Sequence, residues 1–250
     1  MIETLKDLRR QARRMASLQP IPAFYMDCAV ELQFAWDMFF DHPLILRLQE
    51  DCLPFLYDDY GHGVEHAKKV AIEAAAIVIA EAGPTDPERA RRLAKLALLA
   101  GLLHDICRLE ADHAARGAEV AQIILQDYPL PAADKAAVVR AVACHEAFTA
   151  LPASPDQDAD LLAGALYDAD KFRWGPDNFG TTLWEICDYQ EWPLDEVARR
   201  FPEGVERIRQ VAGTFRTATG RACGPEFIDL GLGLAQDLYR LLRDAAAARA

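Results

Sequence analysis

The sequence predicts an all-α fold in a single helical domain that spans residues 1–250. Apolar residues recur at helical spacing along almost the whole chain, and no segment shows the alternation of a half-buried strand. The connections between the amphipathic segments are short and carry proline or glycine, and no low-complexity linker divides the chain. Together these observations favour a bundle of helices around one core.

The composition excludes several classes of protein. The chain of 250 residues is 52% apolar and has a formal net charge of −12, so its overall field repels a nucleic-acid backbone. No apolar run is long enough to cross a membrane, and the charged N-terminal segment lacks the apolar core of a signal peptide. The six cysteines are widely spaced and form no Cys-x-x-Cys pair. We therefore expect reduced thiols in a cytoplasmic protein that binds neither nucleic acid nor membrane.

The N-terminal part predicts three helices, over residues 1–19, 24–40 and 44–57, the last of them interrupted at Pro54. Pro20 and Pro22 end the first helix, because proline lacks the amide hydrogen that a helix interior needs. The second helix carries a stripe of aromatic side chains, for which packing in the core is the favoured interpretation: Phe24, Tyr25, Phe34, Trp36, Phe39 and Phe40.

The middle of the chain predicts five more helices, over residues 63–81, 87–105, 113–125, 132–149 and 159–171. The second of them begins at Pro87, and Thr85 or Asp86 just before it is the type of residue that caps a helix N-terminus. The fourth carries His145 near its end. The fifth ends on acidic residues after a mostly apolar run.

The C-terminal part predicts three helices, over residues 181–200, 203–218 and 226–247. Gly220 and Pro225 bound a break between the last two of them. The turn before these helices contains Trp174 and Asn178, which closely follow the acidic end of the preceding helix. Both are candidates for the border of a ligand pocket, whereas the other aromatic residues of this part are expected mainly in the core.

The most informative stretch runs from Ala100 to Arg108 and ends an otherwise apolar helix on the adjacent residues His104 and Asp105. Leucine and alanine occupy almost every face of that helix, which indicates that it is buried on most sides. A buried imidazole beside a buried carboxylate destabilises a protein unless the two groups are paired or bind a metal.

Other histidines and a further aspartate occur in similar settings, at the start or the end of an apolar helix. In chain order the set is His66, His104, Asp105, His113, His145 and Asp170. Helical hairpins of these lengths can bring the ends of separate helices together in the core of a bundle. Imidazole and carboxylate donors suit Fe, Mn, Co, Ni or Zn, and carboxylate oxygens also suit Mg. We therefore expect one or two divalent metal ions of these elements.

The order of these residues resembles the HD superfamily of metal-dependent phosphohydrolases over about residues 55–175. The resemblance is carried by residues 62–70 (HGVEHAKKV), 101–106 (GLLHDI), 113–120 (HAARGAEV), 144–146 (CHE) and 168–172 (DADKF). It implies an HD-domain-like helical bundle with extra helices over residues 1–54 and 176–250, which carry no motif of their own.

By the family pattern, four of the residues bind one metal ion: His66, His104, Asp105 and Asp170. His113 and His145 resemble the additional ligands of dinuclear members, which include cyclic-dinucleotide phosphodiesterases, dinucleoside-polyphosphate hydrolases and some diiron oxygenases. The chain departs from these members in the short gap between Asp105 and His113. It also lacks the Gly-Tyr-Pro motif that follows the second extra histidine in cyclic-di-GMP phosphodiesterases, so that substrate is not assigned.

The resemblance also implies a reaction, the metal-dependent hydrolysis of a nucleotide or another small phosphorylated compound as a phosphomonoesterase or phosphodiesterase. A divalent ion activates water and polarises the phosphoryl group, and Asp105 would orient the attacking water. His62 resembles the histidine that protonates the leaving group in cyclic-nucleotide phosphodiesterases. Arg108 and Lys171 are candidates for phosphate contact, although a cation that complements the end of a helix dipole is an equally good interpretation of both.

Two other functions fit the same residues. A dinuclear iron oxygenase would use all six ligand types, but it would need iron and dioxygen. A non-catalytic metal-binding sensing domain would keep the metal for structure or regulation. In a non-catalytic domain without a metal, unpaired buried His and Asp side chains would only lower stability, which favours the hydrolase, but a structural metal would remove that objection.

Overall fold

The computed structural model describes residues 3–56 and 63–248, and within these ranges the chain forms twelve α-helices and no β-strand. The predicted all-α class is therefore confirmed. The first four helices are α1 (Glu3–Ser17), α2 (Phe24–Asp27), α3 (Ala29–Asp41) and α4 (Pro43–Cys52). The next five are α5 (Val64–Ala82), α6 (Pro87–Leu103), α7 (His113–Ile124), α8 (Ala132–Ala143) and α9 (Gln157–Phe172). The last three are α10 (Leu183–Tyr189), α11 (Leu194–Val211) and α12 (Ala218–Ala247).

Three short segments complete the described helical structure. Turns of 3₁₀-helix run over Leu53–Phe55 and Leu125–Asp127, and a π-helical turn runs over Asn178–Thr182. The six cysteines are free thiols. None of the helices in the described ranges combines the length and the apolar composition that are needed to span a bilayer.

Helices α5 and α6 form the centre of the molecule and pack along each other. Helices α3 and α9 also contact α5, while α8 packs against α6, α7 and α9. Most residues of α5 and α6 are buried, as expected for helices that are apolar on nearly every face. Asp86 caps α6 by accepting a hydrogen bond of 3.0 Å from the amide of Arg89, and Pro87 occupies the first helical position, as predicted.

Helices α5 and α6 approach each other closely at Gly101. A Cβ atom at this position would overlap the backbone and the side chain of Ala71 on α5. Gly101 lies one turn before His104, and Ala71 lies little more than one turn after His66. The absence of a side chain at Gly101 therefore allows the helices to hold these two histidines side by side.

The end of α9 is fixed by Asp168, which lies two residues before Asp170. The Oδ1 atom of Asp168 accepts a hydrogen bond of 2.8 Å from the amide of Arg216. Its Oδ2 atom accepts from the amide and the hydroxyl of Thr217, at 2.8 and 2.7 Å. Burial raises the pKa of Asp168 to about 6, but these donors favour the ionised form. The carboxylate thus binds α9 to the N-terminus of α12, where a negative charge is favourable.

A second buried network fixes the same end of α9 from the other side. The Nη2 atom of Arg173 donates to both carboxylate oxygens of Glu73 on α5, at 2.9 and 2.8 Å, and to the hydroxyl of Tyr25 at 3.0 Å. The hydroxyl of Tyr25 in turn donates to Glu73 over 2.6 Å. The network joins α2, α5 and the residue that follows α9, so Asp170 lies between two anchored segments.

The prediction of one helix over residues 24–40 is wrong, because Cys28 separates α2 from α3. The core assignment of its aromatic stripe is correct for Phe24 and Phe39 but wrong for three other residues, whose exposed fractions are 38% (Phe34), 47% (Trp36) and 42% (Phe40). The outer face of α3 is solvent-exposed, and the rings of Trp36 and Phe40 pack on each other there with centroids 4.8 Å apart. Helix α4 ends at Cys52, two residues before Pro54, where the sequence predicts an interruption.

The predicted C-terminal boundaries are also wrong. A single helix, α11, continues through Pro202, and α12 continues through Pro225 across the predicted break. Packing of α11 against α12 and the hydrogen bonds at the start of α12 outweigh the intrinsic effect of the two prolines. Helix α8 ends at Ala143 rather than at residue 149, so His145 lies just beyond the helix.

Replacing Gly101 by alanine tests the close approach of α5 and α6. We expect the added methyl group to separate the helices and lower the free energy of unfolding by about 1–3 kcal/mol. The metal content should fall as well, because His66 would move away from His104. Urea denaturation and elemental analysis measure the two effects.

The matched control for that variant is Gly233→Ala on α12. A Cβ atom at Gly233 meets no other atom within 4 Å, so the control should leave stability unchanged or slightly increase it. Equal stability of the two variants would show that Gly101 is not a packing constraint.

Candidate metal centre

The structure brings the six predicted ligand residues together in one buried cluster. Each comes from the end of a helix or from just beyond it, and all six side chains are buried. The contributing elements are the first turn of α5 (His66), the residues after α6 (His104 and Asp105), the start of α7 (His113), the residues after α8 (His145) and the last turn of α9 (Asp170).

Asp105 lies at the centre of the cluster, and its two oxygens face different pairs of histidines. The Oδ2 atom lies 3.6 Å from Nε2 of His66 and 3.3 Å from Nε2 of His104. The Oδ1 atom lies 3.4 Å from Nε2 of His145 and 3.8 Å from Nε2 of His113. One carboxylate is therefore shared by two groups of potential ligands.

The first group is completed by Asp170. The Nε2 atoms of His66 and His104 are 3.1 Å apart, and Oδ1 of Asp170 lies 3.4 and 3.9 Å from them. Ligand atoms bound to one ion at about 2.0–2.2 Å lie roughly 3.0–3.5 Å apart, so the spacings of 3.1 and 3.4 Å fit a shared ion, whereas the 3.9 Å between Asp170 and His104 exceeds that range. Two imidazole nitrogens this close also repel each other unless a proton or a cation lies between them.

Backbone carbonyls orient two of the imidazole rings. The Nδ1 atom of His104 lies 2.8 Å from the carbonyl oxygen of Gly101, and Nδ1 of His145 lies 2.6 Å from that of Val142. Since a carbonyl oxygen only accepts, both Nδ1 atoms carry the proton, and both Nε2 atoms direct a lone pair at the cluster. Among the described residues the buried Nε2 of His145 has no hydrogen-bond partner, as expected of a nitrogen that binds a metal.

The electrostatics of the cluster suit a cation. Burial raises the pKa of Asp170, but Lys171 and His66 outweigh burial and hold that pKa well below its usual range. Burial lowers the pKa of His104, but the charges of Asp105 and Asp170 outweigh it and raise the pKa above its usual value. Two ionised carboxylates thus attract positive charge to the imidazole nitrogens, and a metal ion would supply that charge.

Arg108 is bound to the second group. Its Nη1 atom lies 3.0 Å from Nε2 of His113 and 3.9 Å from Oδ1 of Asp105. Burial and the charge of Arg108 lower the pKa of His113 to about 4, so the imidazole is neutral at neutral pH and accepts this hydrogen bond. A metal ion at the second group and the guanidinium of Arg108 would therefore compete for the same lone pair.

The buried histidine and aspartate side chains could hold a metal ion in two places. The ligand atoms of His66, His104 and Asp105 lie within 4.8 Å of one another, and so do those of Asp105, His113 and His145. These donors are nitrogen and oxygen atoms without a thiolate, a set that suits the divalent ions of Fe, Mn, Co, Ni or Zn.

The structure places two of the three other predicted functional residues beside the cluster. Lys171 is buried, with Nζ bonded to Oδ2 of Asp170 and 5.1 Å from the ring centroid of Tyr167. Arg108 is partly exposed and lies at the second group. His62 lies outside the described residues.

A cavity of about 440 Å³ leads to the cluster. Four residues of the cluster line it beside Lys171 and Arg108, namely Asp105, His113, His145 and Asp170. Trp174 and Asn178 also border the cavity, as predicted from their position after α9. The outer walls come from α10 and α11, which the sequence did not indicate as part of a site. Apolar residues do recur at helical spacing on α11. This sequence pattern is the same for a helix that lines a cavity and for a helix that packs in the core.

Comparison of the chain with family models, with curated proteins and with solved structures found no match. The resemblance to the HD superfamily therefore remains a prediction from the five sequence segments. The gathering of the six residues in one buried cluster is an independent observation of the structure.

Single substitutions test the two ligand groups. We expect His66→Ala to lower the metal content at the first group and His145→Ala to lower it at the second group. Asp105→Ala should lower both, because each group uses one oxygen of this carboxylate. Elemental analysis of protein purified without chelator or metal-affinity tag measures the ion per chain, and circular dichroism checks that the helices persist. A control, His42→Ala, changes a histidine outside the cluster, and wild-type metal content in Asp105→Ala would rule out the site.

Replacing Arg108 by methionine tests the competition at His113. Loss of the guanidinium removes both a donor to the imidazole lone pair and a nearby positive charge. We expect metal to bind the second group about threefold to tenfold more tightly, the equivalent of one hydrogen bond. Titration against a chromophoric chelator measures this affinity, and Arg116→Met on α7 is the matched control. Unchanged or weaker binding in Arg108→Met would contradict the competition.

Proposed function

We propose that the protein is a metal-dependent phosphohydrolase that acts on a small phosphorylated compound. The observation that carries the proposal is the shared Asp105 carboxylate, which faces two pairs of imidazoles at the inner end of a cavity. The cationic side chains of Lys171 and Arg108, which line the cavity beside the cluster, support the choice of an anionic substrate.

The residues present fit a divalent ion, which the first group would hold through His66, His104, Asp105 and Asp170. Such an ion would lower the pKa of a bound water molecule and place a positive charge beside the phosphoryl oxygens. Asp105 would orient the attacking water by accepting its proton in a hydrogen bond, because its carboxylate lies at the centre of the cluster.

Lys171 is suited to bind the phosphate. The ammonium has three donors, and one of them is bonded to Asp170. The rings of Tyr167 and Trp174, 5.1 and 5.5 Å from Nζ, hold the charge in place, and the side chain lines the cavity. The remaining donors would contact phosphoryl oxygens.

Arg108 would provide a second contact through its planar fork of donors, which matches the geometry of a phosphate. The bound phosphate would compete with His113 and Asp105 for this guanidinium. His62, by the resemblance to cyclic-nucleotide phosphodiesterases, would give a proton to the leaving group.

The test is phosphate release from small phosphate monoesters by protein loaded with Mn, Fe, Co, Ni, Zn or Mg in separate reactions. We expect Lys171→Met to lower kcat/KM about 100-fold, as is typical when a charged group loses its contact with the transition state. The exposed Lys69, whose Nζ lies 3.3 Å from Asp177, provides the matched control Lys69→Met. Metal content is measured in both variants, because Lys171 also pairs with Asp170. Full activity of Lys171→Met with normal metal content would remove this residue from the mechanism.

A dinuclear iron oxygenase is the second candidate, and the shared Asp105 favours it as well, because one carboxylate can serve two ions. The two functions differ in their need for dioxygen. Iron-loaded protein that consumes dioxygen but releases no phosphate would support the oxygenase. Phosphate release under anaerobic conditions would support the hydrolase, and metal binding without either reaction would support a sensing domain.

A further inference from the structure

We propose that the cavity selects a substrate whose organic group is apolar, an aryl or alkyl phosphate rather than a nucleotide. The inference rests on the proposed function for the anionic end of the substrate. The walls that α10 and α11 contribute to the cavity indicate the apolar end of the substrate.

One face of α11 forms a continuous apolar wall of the cavity. Val197, Phe201, Val205 and Ile208 all line it, and their spacing of three or four residues places them in one row along the helix. Gly204 lies in the same row, and a Cβ atom there would meet no other atom within 4 Å. The wall therefore has open space in front of it rather than a packed neighbour at this point.

The facing wall is apolar as well. Leu183 and Ile186 of α10 line the cavity together with Phe179 of the π-helical turn and with Trp192, which precedes α11. Apolar side chains on both sides can remove an apolar ligand from water, which is favourable at about 25 cal/mol per Å² of buried surface. A volume of about 440 Å³ is within the range of small-molecule sites.

The polar residues of the cavity are unevenly distributed. Lys171 and Arg108 lie at the metal cluster, whereas Arg200, Glu203 and Arg207 of α11 are exposed to solvent at the outer wall. Among the described residues that line the cavity away from the histidines of the cluster, the uncharged polar side chains other than tryptophan are Asn178 and Thr182.

That distribution disfavours a nucleotide. A nucleobase and a ribose carry many donors and acceptors, and burying them without partners is unfavourable. Cations at the inner end followed by apolar walls instead match a phosphate that is joined to an aryl or alkyl group.

A series of phosphonates tests this preference without turnover, because their carbon–phosphorus bond is not a substrate for ester hydrolysis. Methyl-, butyl-, phenyl- and 1-naphthylphosphonate are titrated into the metal-loaded protein by calorimetry. The polar comparison is adenosine monophosphate in its phosphonate form, in which a methylene group replaces the ester oxygen. We expect about fourfold tighter binding for each methylene that is added to the alkyl chain, which corresponds to about 0.8 kcal/mol. Affinity that does not change with the size of the apolar group, or tighter binding of the adenosine phosphonate than of naphthylphosphonate, would overturn the inference.

The variant Gly204→Leu tests whether the apolar group of the ligand binds between the two apolar walls. Its side chain would occupy part of the space between the two apolar walls, so the ratio of naphthylphosphonate to methylphosphonate affinity should fall at least tenfold. Gly233→Leu on α12 is the matched control, since Gly233 is also an exposed helical glycine with no atom within 4 Å of a Cβ, and it does not line the cavity. An equal ratio in the two variants would show that the apolar group binds elsewhere.

Phosphonate binding and ester hydrolysis together distinguish a failure of the apolar preference from a failure of the proposed function. Binding that increases with the apolar group, without hydrolysis of any ester, would support the cavity preference while contradicting the hydrolase. Hydrolysis of methyl and naphthyl esters with equal kcat/KM would support the hydrolase while contradicting the preference. Failure of all phosphonates to bind the metal-loaded protein would also contradict the preference.

Discussion

The burial of the Asp105 carboxylate is the constraint on which the rest of the structure depends. An ionised carboxylate is unstable in an apolar interior unless hydrogen bonds, charges or a metal compensate for the lost water. Here the Nε2 atoms of four imidazoles lie 3.3–3.8 Å from the carboxylate oxygens, two of them near Oδ1 and two near Oδ2. These rings come from four separate parts of the chain, so the cluster requires the helices to end at one place.

The surrounding fold meets that requirement by fixing backbone segments rather than by contacts among the six residues alone. The close approach at Gly101 sets the distance between α5 and α6. Asp168 and Arg173 then anchor α9 on either side of Asp170, one to the start of α12 and the other to Glu73 on α5. Both anchors are buried charges with partners, so displacing the end of α9 would leave charges unpaired in the interior. A preorganised cluster follows from this arrangement.

The sequence predicts the central helices and the six clustered residues well, because the signals are local. Polar residues at the ends of apolar helices are rare enough to be noticed, and Asp86 with Pro87 marks a helix start through backbone chemistry. The C-terminal helices were predicted poorly because tertiary packing outweighs the prolines in α11 and α12. Local helix signals do not distinguish Asp168 from Asp170. The resemblance selects Asp170 as the ligand, and the packing of α12 shows that Asp168 is an anchor.

The cavity would allow an acidic protein to bind the proposed anionic substrate. The net charge of −12 repels phosphate at long range, but exposed charges are screened by salt within about 8–10 Å, while buried charges are screened much less. An apolar ligand group that packs against the walls on α10 and α11 would displace water from the space beside Lys171 and Arg108. Fewer water molecules mean a lower local dielectric, in which two cations attract a phosphate more strongly than they would at the surface. The same apolar walls would therefore contribute to substrate selection and to the strength of the anion site.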